Sequence, residues 1–458
     1  MIKIEATTAD AYRLFHEGAL ALARAEREGI RVDVEYSEQK KKHLERKIEY
    51  YQKQLEETKL YRQWNHVYKG KTNIHSNQQL ARILYKNMKI EPVKTTETGQ
   101  GATDEEALRR LDIPGLDLIL SIRKLSKIKN TYLGAFTREQ FNGFIHPSFN
   151  LHNVRTYRSS SEGPNFQNIP KRDKESMKIC RRAILPRPGH MLIEADFSAL
   201  EVNISECYHK DPVMMQYLLD DKSDMHLDMA KQIFIMPDMQ KSIPAHAVMR
   251  QAAKNGFVFP QFYGDYYGNN AHSLCEWTKL PRGRWKEGQG LELPDGSHIS
   301  NHFLSKGIKS FDQFTEHMKK VEDDFWNRRF KEYGRWKKKS VQDYRKRGWL
   351  KTYTGFTCSG LMRDNEISNY PIQGSAFHCL LFTFIELDKI AQREKWKSKI
   401  VGQIHDSILL DADPVELGRI KEALQTIVKE ILPNAWKWII VPLEIDVDEY
   451  GVDLPWVS

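Results

Sequence analysis

The sequence predicts a mixed α+β protein built from more than one packed subdomain, and three observations predict it. The chain has 458 residues, more than one hydrophobic core usually serves. Its first third is patterned as amphipathic helices. Its best strand candidates, MLIEADF, GQIHDSILL and WIIVPLEIDV, lie far apart in the chain, so one sheet must be assembled from remote segments.

The elements follow in order. Ala11 to Glu28 reads as an amphipathic helix closed by Gly29 and followed by the short extended run IRVDV. A long charged helix comes next, with Ser37 as its N-cap and Leu44, Ile48, Tyr51 and Leu55 at spacings of four, three and four; the pair reads as a two-helix hairpin with a solvated basic face. Short helices follow from Asn73 to about Ala135, where Arg123, Lys124, Lys127 and Lys129 cluster on adjacent turns, a spacing suited to a phosphate backbone. From Tyr267 to Ser310 the chain is rich in Gly, Asn, Ser and His, which predicts an irregular insertion with a short hairpin around Pro294, Asp295 and Gly296.

With 40% hydrophobic and 29% charged residues the composition is that of an ordinary globular protein. A net charge of +9 favours an anionic partner. Cys180, Cys207, Cys275, Cys358 and Cys379 are scattered without paired spacing, which predicts neither a disulfide framework nor a zinc site and fits a reducing cytoplasm, the host's if the source is viral. The amino terminus lacks a signal-peptide core, and no run approaches the length of a membrane span.

Two aspartates stand out. Asp196 in LIEADFSALEVNISE and Asp406 in VGQIHDSILLD each end a short apolar run. Two carboxylates on neighbouring rigid strands are what a two-metal phosphoryl transfer requires. Between them, Arg250 and Lys254 in HAVMRQAAKNGFVFPQFYG fall one helical turn apart and can address one ligand, and Phe257, Phe259, Phe262 and Tyr263 offer aromatic surface beside those cations for a stacked base. Alone, a strand-end Asp is usually a cap and an RxxxK pair a solvated face; together they point to nucleotide transfer.

These segments resemble the family A DNA polymerases. The resemblance runs from about Ala11 to Trp456: the first palm motif stands as Asp196, Phe197, Ser198 and Glu201, TxR with a serine run and PNxQNIP as TYRSSSEGPNFQNIP (156–170), the third palm motif as His405 and Asp406, and further patterns as NYPIQG and DMHLDMAKQIF. It implies a right-hand polymerase fold: a helical thumb with the start of the palm over 1–145, the first part of the palm over 146–212, helical fingers over 213–340, and the second part of an antiparallel palm over 341–458. The implied activity is template-directed addition of deoxynucleotides to a primer 3′ end. Its partners would be primer-template DNA and deoxynucleoside triphosphates, with a separate processivity factor or exonuclease subunit as further candidates.

By that resemblance Asp196 and Asp406, with the backbone carbonyl of Phe197, would hold two Mg²⁺ ions, for which Mn²⁺ can substitute. Arg250, Lys254 and His226 would bind the triphosphate, and Lys254 would give the proton to pyrophosphate. Glu201 would be the steric gate against a 2′-hydroxyl, and Tyr263 would stand near the templating base. Arg158, Asn165, Gln167, Asn168, Asn369, Gln373 and His405 would line the duplex, where Asn and Gln can read minor-groove geometry without sequence preference. Arg123, Lys124 and Lys127 would follow its backbone. The basic stretch 331–351, with Trp336, Tyr344 and Trp349 interleaved, would guide single-stranded template. The alternatives are a single-subunit RNA polymerase, which Glu201 argues against, and a silent primer-template binding factor, which the intact aspartates argue against.

Three departures from the family pattern carry expectations. One extra residue between Lys254 and Tyr263, with Pro260 in place of Gly, predicts a bulge or an early helix end, and spacing back from Tyr263 favours Phe259 over Phe257 as the stacking ring. Ser407 stands where Glu often follows His-Asp. The short leader before the first helix leaves no room for the exonuclease domains that often precede this region.

Overall fold

The computed structural model describes residues 6–457 apart from 97–98, 172 and 221. Its centre is a four-stranded antiparallel sheet in the order Ile445–Glu449, Met191–Phe197, Ser407–Ala412, Lys399–Ile404. MLIEADF forms the strand its pattern predicts. GQIHDSILL does not form one strand: it turns back on itself at His405 and Asp406, so its two halves pair antiparallel. Only the end of WIIVPLEIDV is extended as a strand; Pro442 has no N–H for a ladder, and Trp438 instead stacks with Trp436 and Tyr353.

Alternation along the strands gives the sheet two differently covered faces. Ile193, Ala195, Phe197, Ile408 and Leu410 pack with Ala21, Leu22 and Ala25 of the helix Thr8–Glu28 and with Leu380 and Phe384 of the long helix Asp364–Glu394. Leu192 and Leu409, on the other face, join Leu44, Ile48, Leu55 and Trp64 of the helical layer and Trp456 near the carboxyl end. A third core, from Met214 to Tyr333, belongs to a helical lobe beside the sheet.

The first helix begins at Thr8, three residues before its expected start, because Thr7 and Asp10 form a capping box. The second helix, Val34–Glu56, is capped by Asp33, not Ser37. The Asp33 carboxylate accepts from the Tyr36 amide, whereas Ser37 lies inside the helix and donates to the Asp33 carbonyl at 2.7 Å. Nor do the two helices make a hairpin: the first packs on the sheet and the second on the helix Leu116–Lys127, since their apolar stripes belong to different cores.

The segment 267–310 is more regular than expected. Tyr267–Trp277 and Ile299–Ser305 are helices, because Ala271, Leu274, Cys275, Ile299 and Phe303 bury themselves in the lobe and override weak propensity. The hairpin at 294–296 does form, with Glu292 bridged to His298. Among the described residues no helix is long and apolar enough to cross a membrane, no metal-ligating group of three gathers, and all five cysteines are free and buried.

Candidate active site

Asp196 is the penultimate residue of the central strand and pairs in register with Ser407. The Phe197 amide donates to the Asp406 carbonyl at 3.2 Å, which ties the turn at His405 and Asp406 to the end of that strand. His405 takes a left-handed conformation with φ 50°, and the Gln403 side-chain amide donates to its carbonyl. Both aspartates thus open into one cleft of about 870 Å³, which Phe197, Glu201, Arg158, Asn168, Phe259, Tyr263 and His405 also line.

Each carboxylate is met by a cation. Lys171 Nζ lies 3.0 Å from Asp196 Oδ2, and Arg158 Nη2 lies 3.2 Å from Asp406 Oδ1. Burial raises the Asp196 carboxyl above its ordinary range, and Lys171 partly offsets this. Arg158 also reaches Glu201 at 3.0 Å, and the Tyr263 hydroxyl donates to the other Glu201 oxygen at 2.5 Å. A chain of two ion pairs and a hydrogen bond therefore runs from Asp406 through Arg158 and Glu201 to Tyr263, which ends the helix Phe259–Phe262. Burial lowers His405, although Asp406 favours its charged form.

Behind Asp196, Glu194 is buried at the middle of the sheet. It accepts from Arg181 at 2.8 Å, Ser407 Oγ at 3.0 Å and Trp456 Nε1 at 3.2 Å, and the Arg181 guanidinium lies 3.7 Å above the Trp456 ring. Ser407 is thereby accounted for: its hydroxyl turns inward onto Glu194 and offers nothing to the cleft.

Arg250 sits on the helix Pro244–Ala253, and its Nε donates to both oxygens of Asp224, the cap of the helix Met225–Phe234 that carries His226. Burial and the neighbouring cations Lys254 and Arg250 push His226 down to about 4, so its ring is neutral at physiological pH. The extra residue after Lys254 is absorbed in a π-turn over Lys254–Val258, where the Phe259 amide bonds back five residues to the Lys254 carbonyl. Pro260 then falls in the first turn of Phe259–Phe262, where no amide is needed. As a result Lys254 Nζ lies 5.3 Å over the Phe259 ring, which faces the cleft and meets His226 edge-on, while Phe257 is wholly buried against Phe325. Phe262 is partly buried, stacked on Tyr333 and packed against the same core.

The remaining candidates divide. Asn168 is exposed in the cleft. Gln167 is held by Ser159 at 2.8 Å and by Gln403, and Asn165 accepts from Ser161. Asn369 donates to the Tyr263 carbonyl at 3.0 Å, and Gln373 lies with Tyr263 and Glu201 around a small adjoining pocket. Of the basic quartet, Arg123 turns inward onto the Ile74 carbonyl and Asn77, Lys124 pairs with Asp173 and Glu175, and Lys129 pairs with Glu45, so Lys127 is the exposed cation that also lines the cleft. The 331–351 segment forms the helix Lys331–Arg347, but its aromatics are less available than expected. Tyr344 is buried, Trp336 packs on Tyr208 and Tyr333, and Trp349 alone of the three is substantially exposed.

Sequence reasoning missed Lys171 and Asp224. Lys171 directly follows the PNxQNIP motif and Asp224 is the first residue of DMHLDMAKQIF, two before His226; what each touches is decided only by tertiary contact.

A family model described as DNA polymerase family A matches residues 36–451. The chain is similar to the thermostable DNA polymerase I of Thermus filiformis, 28% identical over 453 residues that cover 95% of this chain and 47% of that protein. It is also similar to the DNA polymerase I of Aquifex aeolicus (strain VF5), 28% identical over 429 residues that cover 93% of this chain and 64% of that protein. The chain thus spans about half the length of the Thermus relative. Among solved structures it is similar to one described as the POL domain of Pol1 from M. smegmatis in complex with DNA primer-template and dNTP. The TM-score is 0.73 at 23% identity, over 96% of this chain and 69% of that one. At that identity the likeness establishes the fold, that of a right-hand polymerase domain.

Proposed function

The chain belongs to DNA polymerase family A, and from that premise we propose that it is a DNA-directed DNA polymerase, adding deoxynucleoside triphosphates to a primer 3′ end under template direction. The observation that carries this reading is the convergence of Asp196, Asp406, Glu201, Phe259 and Tyr263 on one cleft, from two adjoining strand ends and a separate helical lobe.

Asp196 and Asp406 are the metal ligands in this reading. Magnesium takes hard oxygen donors and completes its shell with water and substrate phosphates, so two carboxylates, with no ligating group of three among the described residues, fit it better than they would fit zinc. Bound there, two such ions supply Lewis acidity and neutralise charge on the transferring phosphoryl group. Phe197 contributes its backbone carbonyl.

The chain's own groups do the rest. Arg250, fixed by Asp224, and Lys254 offset charge on the triphosphate, and neutral His226 can donate a hydrogen bond without adding a third cation. Lys254 gives a proton to the departing pyrophosphate. Phe259 stacks on the incoming base, Tyr263 stands by the templating base, and Glu201 blocks a 2′-hydroxyl. Arg158, Asn165, Gln167, Asn168, Asn369, Gln373 and His405 line the duplex, and Lys124 and Lys127 follow its backbone. The thumb with the start of the palm corresponds to 1–145, the rest of the palm to 146–212 with 341–458, and the fingers to 213–340.

Incorporation opposite each of the four templating bases in turn tests the reading. Addition of the complementary deoxynucleotide in every case supports template direction; addition of the same nucleotide whatever the template overturns it.

A further inference from the structure

Lys171 has no part in the roles above, yet it makes the closest contact to Asp196. Its Nζ sits 3.0 Å from Asp196 Oδ2, its side chain is about half exposed, and it lines the same cleft as both aspartates. Arg158, the counter-ion of Asp406, is shared with Glu201 and held from two sides. Lys171 has no second ion pair among the described residues. An ammonium on a flexible four-carbon stem is a mobile point charge, and it cannot remain on Asp196 beside an arriving divalent ion without strong repulsion. Lys124, paired with Asp173 and Glu175, and the exposed Lys127 line the same cleft as Lys171 and mark it as a surface where an anionic strand would be drawn.

We propose that Lys171 is a positioning residue that serves as the counter-ion of Asp196 in the empty cleft and yields the carboxylate to a divalent cation when a nucleic-acid phosphate draws the lysine away. Metal binding and duplex binding are therefore coupled through one side chain, and by linkage each strengthens the other by the same factor. The inference rests on the reading of Asp196 as a metal ligand.

The test is Mn²⁺ titration of the whole chain, followed by the paramagnetic resonance of free Mn²⁺. It is run with and without a primer-template whose primer lacks a 3′-hydroxyl, no nucleotide is added, and binding to the duplex alone is subtracted. The parent protein binds Mn²⁺ weakly alone and more tightly with duplex. Lys171→Gln binds Mn²⁺ about two- to five-fold more tightly without duplex, the range an exposed ion pair supplies, and most of the further gain on adding duplex disappears. Lys171→Arg restores the coupling. Asp196→Asn separates the two ideas. If it leaves Mn²⁺ binding unchanged, the metal-ligand reading is wrong; if it weakens binding while Lys171→Gln behaves as the parent in both arms, the metal reading stands and the lysine proposal is overturned. A purely structural lysine would lower binding of metal and duplex alike, which also contradicts the proposal.

Discussion

Phe257 and Phe259 stand two residues apart, and the π-turn assigns them opposite fates. Phe257 is wholly buried with its ring edge-on to Phe325 at 5.2 Å, inside the core of the helical lobe. Truncating it to Ala should cost about 3–5 kcal/mol of stability, the usual loss for a buried phenylalanine. Phe259 is partly exposed, between the Lys254 ammonium and the cleft, so Phe259→Ala should move stability by less than about 1 kcal/mol. On the proposed reading it loses a stacking surface for a base, worth about 1–3 kcal/mol, or about 5- to 150-fold in kcat/KM for the incoming nucleotide. Urea unfolding followed by circular dichroism measures the first quantity, and single-nucleotide incorporation measures the second. The reasoning is refuted if Phe259→Ala unfolds the lobe while leaving incorporation intact, or if Phe257→Ala retains full stability and carries the kinetic defect.

Other consequences follow from the buried charges and the gate. Arg181→Met removes the one cation paired with buried Glu194 among the described residues, so stability should fall by about 3–5 kcal/mol, and Arg181→Met with Glu194→Gln should recover most of it; a double variant as unstable as the single one contradicts this. Glu206 is wholly buried on the helix Leu200–His209, with His209 Nδ1 3.3 Å away, and burial pushes Glu206 up to about 8 and His209 down to about 3, so the two form a neutral pair. The folded protein then holds a proton on Glu206 that the unfolded chain releases near its ordinary value, so the stability this supplies in acid is lost as pH rises towards about 8. Glu206→Gln, neutral throughout, should match the parent in acid and exceed it in alkali by a few kcal/mol in urea titrations across that window; parallel curves would show Glu206 to be ionised in the fold. Glu201→Ala removes the partner of Tyr263, and, if Glu201 is the proposed gate, ribonucleotide incorporation should rise relative to deoxynucleotide; an unchanged ratio rules out the gate.

The parts of the site carried by short contiguous motifs were legible in the sequence. Asp196 could be placed because it ends a short, mostly apolar run, MLIEADF, and Asp406 because its flanking runs are apolar too, although that apolar continuity around His405 and Asp406 hid the turn between the two strands. What was not legible depends on contacts between remote segments. Lys171 and Asp196 are 25 residues apart in sequence, and nothing local marks them as a pair. Tyr344 reads as an exposed ring on a basic helix, yet its hydroxyl bonds to the Gly360 carbonyl and its ring fills a small core with Cys358, Met362 and Ile367. Ser37 reads as a cap because Ser favours that position, and Asp33 outcompetes it by meeting the first free amides. The extra residue after Lys254 announced a bulge, while its form as a π-turn, and hence the placing of Phe259 under Lys254, came only from the geometry.

The most direct test of the central claim is extension of a labelled primer on a longer template with Mg²⁺, four deoxynucleotides against four ribonucleotides, for the parent chain and Asp406→Asn. Extension to the template end with deoxynucleotides alone, abolished in Asp406→Asn while duplex binding persists, is the predicted result. Undiminished extension by Asp406→Asn, or duplex binding by the parent with no extension, would contradict it.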